Sequence, residues 1–358
     1  MAMTASMRQP PPSTTRRTDS PPPSAPRLSH QHGLTLVEMM VAITLSLILT
    51  AGMVHIFTGS SQTYRLNEAV SRVQENGRFA IDQLTWDLRQ AGFRGGCRRQ
   101  VNNLLNLNPG DAAYPLFDLE NAINGWNNTA GPAPADYRPG TDVLLIKHAA
   151  QISGVTASGN TPANAANINL DQASTIPRGT IVFVTNVNNC DIFQNRSNLN
   201  ANNLNRGASG NPGNKPPNMQ NQLSASYQND MEIFRLRSHL YYIGTGATGA
   251  PALMRVSYHE GLDQIRTEEL VEGVRDMQIT YGVDTNGNRE INVFQTADQV
   301  TNWQRVLAIR VSLLLQSQRD FMVDAPMTVA FNGNNVTPGD RRFYQVFTTT
   351  VGIRNRLP

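Results

Sequence analysis

Apolar and polar positions divide the chain into three textures. From Leu34 to Phe57, 24 consecutive positions are almost all apolar. From Tyr64 to Ala91 the apolar positions recur with a helical period. Leu66, Val70, Val73, Gly77, Ala80, Ile81, Leu84, Leu88 and Ala91 fall within about 60° of one line at about 100° per residue, a stripe suited to packing on a sheet. Gly92 is placed to end that helix. Beyond it the apolar residues come in short β-rich runs. The clearest is Leu307, Ile309, Val311, Leu313 and Leu315, which alternate onto one face.

These runs predict strands at Asp142–His148, Thr180–Thr185, Met231–Gly244, Ala252–Tyr258, Val274–Asp284, Arg305–Ser317 and Gln345–Ile353. One long helix followed by many strands, with no helices between them, argues an α+β fold with a mainly antiparallel sheet. The runs "NNLLNLNPGDAAYP" (102–115) and "NRSNLNANNLNRGASGNPGNKPPNMQNQ" (195–222) are rich in Asn, Gly and Pro. They read as long surface loops, the second of them mobile.

As a helix the first segment would be roughly 36 Å long, against a bilayer core of about 30 Å, so it can span with some tilt. Inside it stands one carboxylate, Glu38. A charge at mid-span costs roughly 2.5–3.5 kcal/mol on insertion scales, less near an end, and persists mainly where it meets a partner. One reading is an ordinary signal anchor with a chance glutamate. Cleavage after the apolar run is disfavoured, since the sequence passes directly into a polar helix with no small-x-small site. The arginines before the span predict an N-terminus that stays in the cytoplasm.

Charge adds to this picture through its location. The chain of 358 residues has a formal net charge of +3. Arg8, Arg16, Arg17 and Arg27 lie within residues 1–33 against one acid, Asp19, and without that tail the basic and acidic counts are equal. The excess belongs to the leader, so no nucleic-acid surface is expected. Six scattered histidines and two cysteines offer no zinc spacing. The sequence contains no GxSxG, HExxH or Walker loop, and no glycine fingerprint between strand and helix. No cofactor is expected, and binding is favoured over turnover.

"GLTLVEMMVAITL", residues 33–45, resembles the class III signal of type IV pilins and pseudopilins: Gly at the cleavage site, an apolar first residue and Glu at the fifth. The resemblance implies that a prepilin peptidase cuts between Gly33 and Leu34 and that the new terminus is N-methylated. Glu38 would be the assembly carboxylate, meeting its own chain's new amine or that of a neighbouring subunit. The leader is long and proline-rich for this family, which leaves Met3 or Met7 as alternative starts, and the membrane half of the helix lacks the proline common in major pilins. "VQENGRFAIDQLTWDLRQAGFRGGC" (73–97), "LVEGVRDMQITYGVDTNGN" (270–288), "VLAIRVSLLLQSQ" (306–318) and "RFYQVFTTTVGIRNRLP" (342–358) resemble the PilW type of minor pilin, related to the J pseudopilin of type II secretion. The implied organisation is a leader over 1–33, a transmembrane half-helix over 34–57, an amphipathic half over 58–92 and a periplasmic head over 93–358.

Three further features stay open on sequence alone. Tyr64, Phe79 and Trp86 lie opposite the apolar stripe and call for cover, by head loops or by a neighbouring subunit. Cys97 and Cys190 would lie in an oxidising compartment, as a disulfide or as two separate thiols. A bridge would pin the second Asn-rich loop to the helix end. In "VDTNGNRE", Asp284, Asn286, Asn288 and Glu290 alternate oxygen ligands as calcium loops do. The glycine falls at the wrong place for an EF-hand, and Asn286–Gly287 is a type I′ hairpin signal.

The favoured reading is a minor pilin that takes part in priming a type IV pilus near its tip. Its implied partners are other minor pilins, the major pilin, the prepilin peptidase and a tip adhesin, with inner-membrane lipid before assembly. The alternatives are a type II secretion pseudopilin, which neighbouring genes would separate, and a membrane-anchored periplasmic binding protein, which would keep its leader.

Overall fold

Residues 34–219, 221–228 and 230–356 are described by a computed structural model. The leader expected over 1–33, Gly33 included, lies outside the described residues. Helix α1 (Leu36–Gln90) is followed by β1 (Asn102–Asn103), α2 (Tyr114–Phe117), β2 (Ile123–Trp126), β3 (Val143–Gln151), β4 (Asn167–Asn169) and β5 (Ile181–Thr185). Then come β6 (Cys190–Gln194), β7 (Asn203–Asn205), β8 (Glu232–Thr245), β9 (Pro251–Ser257), β10 (Arg266–Glu272) and β11 (Val274–Val283). The last strands are β12 (Val293–Gln295), β13 (Val306–Gln316), β14 (Val329–Phe331), β15 (Asn334–Val336) and β16 (Tyr344–Gly352). The chain forms two units, one ending at Gly59 and one beginning at Ser60. The architecture is pilin-like α+β.

Within the second unit, one sheet of eight strands runs in the order β1-β6-β5-β8-β3-β2, with β9 on β8 and β10 on β9. The 14-residue β8 is its spine. It pairs with β3 along one edge, and with β5 and then β9 along the other. A four-stranded sheet runs β12-β11-β13-β16. Every pairing in the two sheets is antiparallel except β1 with β6.

Alternation decides which core each side chain enters. On β3, Leu144 and Ile146 join the main core while Val143 and Leu145 join a second core on the other face. On β8, Tyr241 and Ile243 divide from Leu240 and Tyr242 in the same way. Val73, Ala80, Leu84 and Leu88 of α1, and Ala91 just after it, complete the main core, with Ile309, Val311, Leu313 and Leu315 of β13. The apolar stripe therefore packs on the sheets. Leu307 departs from its expected companions, because the β11–β13 register shifts between Gly282 and Val283. Val306 takes the place in the main core instead.

Two glycines, one within α1 and one just after it, fit their local geometry. Gly92, at φ +77°, follows the last turn in the left-handed conformation that closes helices. Gly77 sits where the ring of Phe347 on β16 comes down on the helix; a Cβ there would lie 2.2 Å from the ring.

The second Asn-rich run differs from its expected character as a mobile loop. Its middle forms β7, paired with β4, and this ribbon buries Ile168 and Leu204 over a third cluster. Asparagine side chains stand in for peptide groups. Asn214 accepts from the Gln194 amide at 2.7 Å and donates to the Gln194 carbonyl at 2.8 Å. The buried Arg206 donates to Asn221 Oδ1 at 2.7 Å. A composition that reads as loop is here a source of internal hydrogen bonds.

Candidate functional site

The chemistry expected of this chain lies along α1. At its start Thr35 and Glu38 form a capping pair. The Thr35 amide donates to Glu38 Oε2 at 2.9 Å, the Thr35 hydroxyl donates to the same oxygen at 3.0 Å, and the Glu38 amide donates to Thr35 Oγ1 at 3.2 Å. The spacing Thr-x-x-Glu is that of a capping box, and it could have been read from the sequence. Local bonds thus satisfy Oε2, while Oε1 has no partner among the described residues. Leu34 is exposed, as is every residue from there to Ser60. The helix is long and apolar enough to cross a membrane.

Farther along, Tyr64, Phe79 and Trp86 are 72%, 48% and 60% exposed. Among the described residues, the head's loops leave about half or more of each side chain open. Trp86 sits one residue before an unexpected neighbour. Asp87 is buried within the apolar stripe, three residues after Leu84 and four before Ala91. Its Oδ2 accepts from His239 Nδ1 at 2.6 Å and from the Tyr241 hydroxyl, both on β8. Its Oδ1 lies 4.0 Å from His148 Nε2 on β3. Burial alone would raise the pKa of this carboxyl, but bonding to His239 and Tyr241 outweighs it and holds the group below the ordinary value. Burial and the facing carboxylate push the Tyr241 hydroxyl well above its own. The cluster ties the helix to the sheet by charge as well as packing. A charged residue at a stripe position was its signal in the sequence.

Cys97 and Cys190, 93 positions apart in sequence, form a disulfide, with Cα atoms 6.1 Å apart. Cys190 opens strand β6 rather than a loop. The bond therefore joins the segment after α1 to the large sheet.

Asp284, Asn286, Asn288 and Glu290 lie together in the β11–β12 connection. The side-chain oxygens of the first three turn inward to the backbone, and Glu290 Oε2 accepts from the Asn288 side-chain amide at 3.2 Å. Asp284 Oδ1 accepts from the amides of Gly287 at 2.6 Å and Asn286 at 3.2 Å, and Oδ2 accepts from Arg289 at 3.0 Å. Asn286 Oδ1 accepts from the Asn288 amide and Asn288 Oδ1 from that of Glu290, each at 3.0 Å. This is a self-capped turn. The connection runs from Asp284 to Asn292, because the strands close at Val283 with Val293. The tight two-residue hairpin expected at Asn286–Gly287 thus gives way to a wider loop, with Gly287 at φ +83° inside it.

Comparison with known proteins adds two matches. Residues 240–355 match the family described as Type IV Pilus-assembly protein W. Residues 28–54 match the prokaryotic N-terminal methylation motif. The first spans the second half of β8 through β16, including the whole four-stranded sheet on which α1 packs. The second spans Leu34 and Glu38. No curated protein and no solved structure matches the chain.

Proposed function

We propose that this chain, a type IV pilus minor pilin of the PilW family, acts in filament assembly by packing against other subunits near the filament tip. Before assembly, residues 34–57 hold it in the inner membrane with its N-terminus in the cytoplasm and its head in the periplasm. The prepilin peptidase cuts between Gly33 and Leu34, and the new amine is methylated. Methylation keeps the positive charge. Glu38, fifth in the mature chain, then pairs with the amine of a neighbouring subunit and sets the register between helices. Other minor pilins, the major pilin and a tip adhesin are the partners this role requires.

One observation carries the reading: an exposed apolar helix inside the methylation motif holds a single carboxylate near its start. In the lipid core an isolated charge is costly. Thr35 meets one of its oxygens, and the other is left for a cation. The test is mass spectrometry of the N-terminus of the protein from its native host, together with Glu38→Ala. The mature chain should begin at methylated Leu34. The variant should still be cleaved but should enter filaments poorly. Intact residues 1–33 in a working filament, or normal incorporation of the variant, would refute it.

A further inference from the structure

Beside the last turns of α1, a groove of about 710 Å³ runs along the large sheet, walled by Trp86 and Gln90 of the helix and by Arg235 and Arg237 of β8. The two arginines are two residues apart on one strand, so they share a face with His239. His148 stands opposite Arg237 in the β3–β8 register, and His259 follows just beyond the end of β9.

What sets this groove apart is its unbalanced charge. Its acids are already engaged. Glu268 is paired with Arg255 at 2.7 Å and Glu260 with Arg266 at 3.1 Å, while Asp87, outside the lining, has Oδ2 held by His239 and Tyr241 and Oδ1 4.0 Å from His148 Nε2. Among the described residues no carboxylate reaches ion-pair distance of Arg235 or Arg237. The Nε of Arg235 is a buried donor with no acceptor, and His259 Nδ1 is buried without a hydrogen-bond partner as well. The electrostatics agree. Burial, then Arg237, His239, Arg235 and Arg266, push the His259 imidazole down to about 4. Burial and Arg235 lower the Arg237 guanidinium. Two neighbouring cations and an orphaned donor, partly shielded from water, leave room for an anion.

The shape argues for a chain segment rather than a free ion. The groove's volume lies within the range of about 300–1,000 Å³ typical of sites that enclose whole ligands, far above what one inorganic anion fills. It also continues past the arginines, which wall a second cleft of about 240 Å³ with Gln151 and Thr175. At the other side Trp86 offers an exposed aromatic surface. Arginine and tryptophan together are the residue types that dominate binding energy in protein interfaces.

We propose that this groove receives an acidic segment of a neighbouring pilin subunit, its side-chain carboxylates meeting Arg235 and Arg237 while an apolar residue beside them rests on Trp86. The identity of the partner rests on the assembly reading above; the acidic chemistry does not. In the complex, guanidinium–carboxylate pairs replace the present repulsion between the two arginines. Charge complementarity of this kind speeds encounter and excludes wrong partners.

The test uses the full mature chain in detergent and a fluorescein-labelled hexaglutamate peptide, with hexaglutamine as its uncharged counterpart. Hexaglutamate should bind with an affinity that falls as salt rises, and hexaglutamine should not. The double variant Arg235→Gln/Arg237→Gln should weaken binding by at least about tenfold while its thermal midpoint is retained. Equal binding by the variant, no binding by the wild type at low salt, or full displacement by millimolar phosphate would each overturn the proposal. In the native host, a photoreactive residue placed at Trp86 should cross-link to an acidic stretch of a pilin subunit; cross-links confined to other surfaces would also overturn it. Leader removal and Glu38→Ala are scored separately, so failure of the groove leaves the processing result intact and the reverse holds too.

Discussion

Asp87 on helix α1 and His239 on strand β8 meet at 2.6 Å inside the core, 152 residues apart in sequence. The bond joins the element that carries the membrane segment to the spine of the large sheet. Removing one member of a buried charged set leaves the others unpaired, which costs about 3–5 kcal/mol. Asp87→Ala should lower the head's unfolding free energy by about that amount in urea titration. Its carboxyl is held below the ordinary value, so the ionised group stabilises the fold above the unfolded pKa of about 3.9, and that contribution is lost as pH falls through the folded pKa. Acid titration of the wild type should show this loss and the variant should lack it.

The Cys97–Cys190 bond closes a long loop, so its expected contribution is large. In the chain-entropy description a loop of this size gives roughly 4–5 kcal/mol. Reduction should shift the urea midpoint downward by the corresponding amount. The double variant Cys97→Ala/Cys190→Ala should match the reduced protein and show no further response to reductant. An unchanged midpoint would mean that β6 is held in the sheet by its pairing with β5 and β1 without help from the bond.

Gly77 on α1 leaves room for the ring of Phe347 on β16. Alanine is the better helix former by roughly 1 kcal/mol at an exposed site. Here the added methyl would stand 2.2 Å from the ring carbon Cε2, and overpacking of this kind costs about 1–3 kcal/mol. Gly77→Ala should therefore destabilise the head in thermal unfolding despite its helix propensity. Phe347→Leu in the same background should restore part of the loss; a stabilised single variant would show that the ring moves aside freely.

Periodicity carries most of the fold. Runs such as Val274–Asp284 and Arg305–Ser317 are apolar enough to mark strands that end within a residue or so of Val274–Val283 and Val306–Gln316. Of the strands that escape this reading, most of them only a few residues long, two show the physical reason plainly. Cys190–Gln194 is short, with Asp191 and Gln194 buried in hydrogen bonds that the pattern counts as polar loop. Arg266–Glu272 carries three glutamates because it lies at the edge, paired on β9 alone. The site was legible at Glu38, where one charge interrupts an apolar run. At Asp87 the signal was a charge at a stripe position, but its role, like that of Arg235 and Arg237, stayed hidden, since the distant partners of a charge, or their absence, are known only from the fold.

Lys147 tests how the core tolerates a cation. It is fully buried on β3, and its ammonium nitrogen donates to the Pro115 carbonyl and to Asn124 Oδ1, the latter at 2.7 Å. Among the described residues no carboxylate pairs with it. Burial pushes its pKa down to about 7, Asp118 opposing and Arg356 adding to the shift. In the unfolded chain a lysine titrates near 10.4. Between these values the unfolded state binds the extra proton, so stability rises with pH across that window and is lowest below it. The buried tyrosines Tyr227, Tyr241 and Tyr281 are all pushed above their ordinary value and stay neutral there. The wild-type head should therefore gain up to a few kcal/mol of unfolding free energy between about pH 7 and pH 10, since each unit of pKa shift corresponds to about 1.4 kcal/mol. Lys147→Met keeps the length of the side chain without the charge and should flatten that rise. Urea titrations at intervals across the window decide the matter: an equal slope in both proteins would assign the pH dependence to other groups and leave Lys147 charged within the fold.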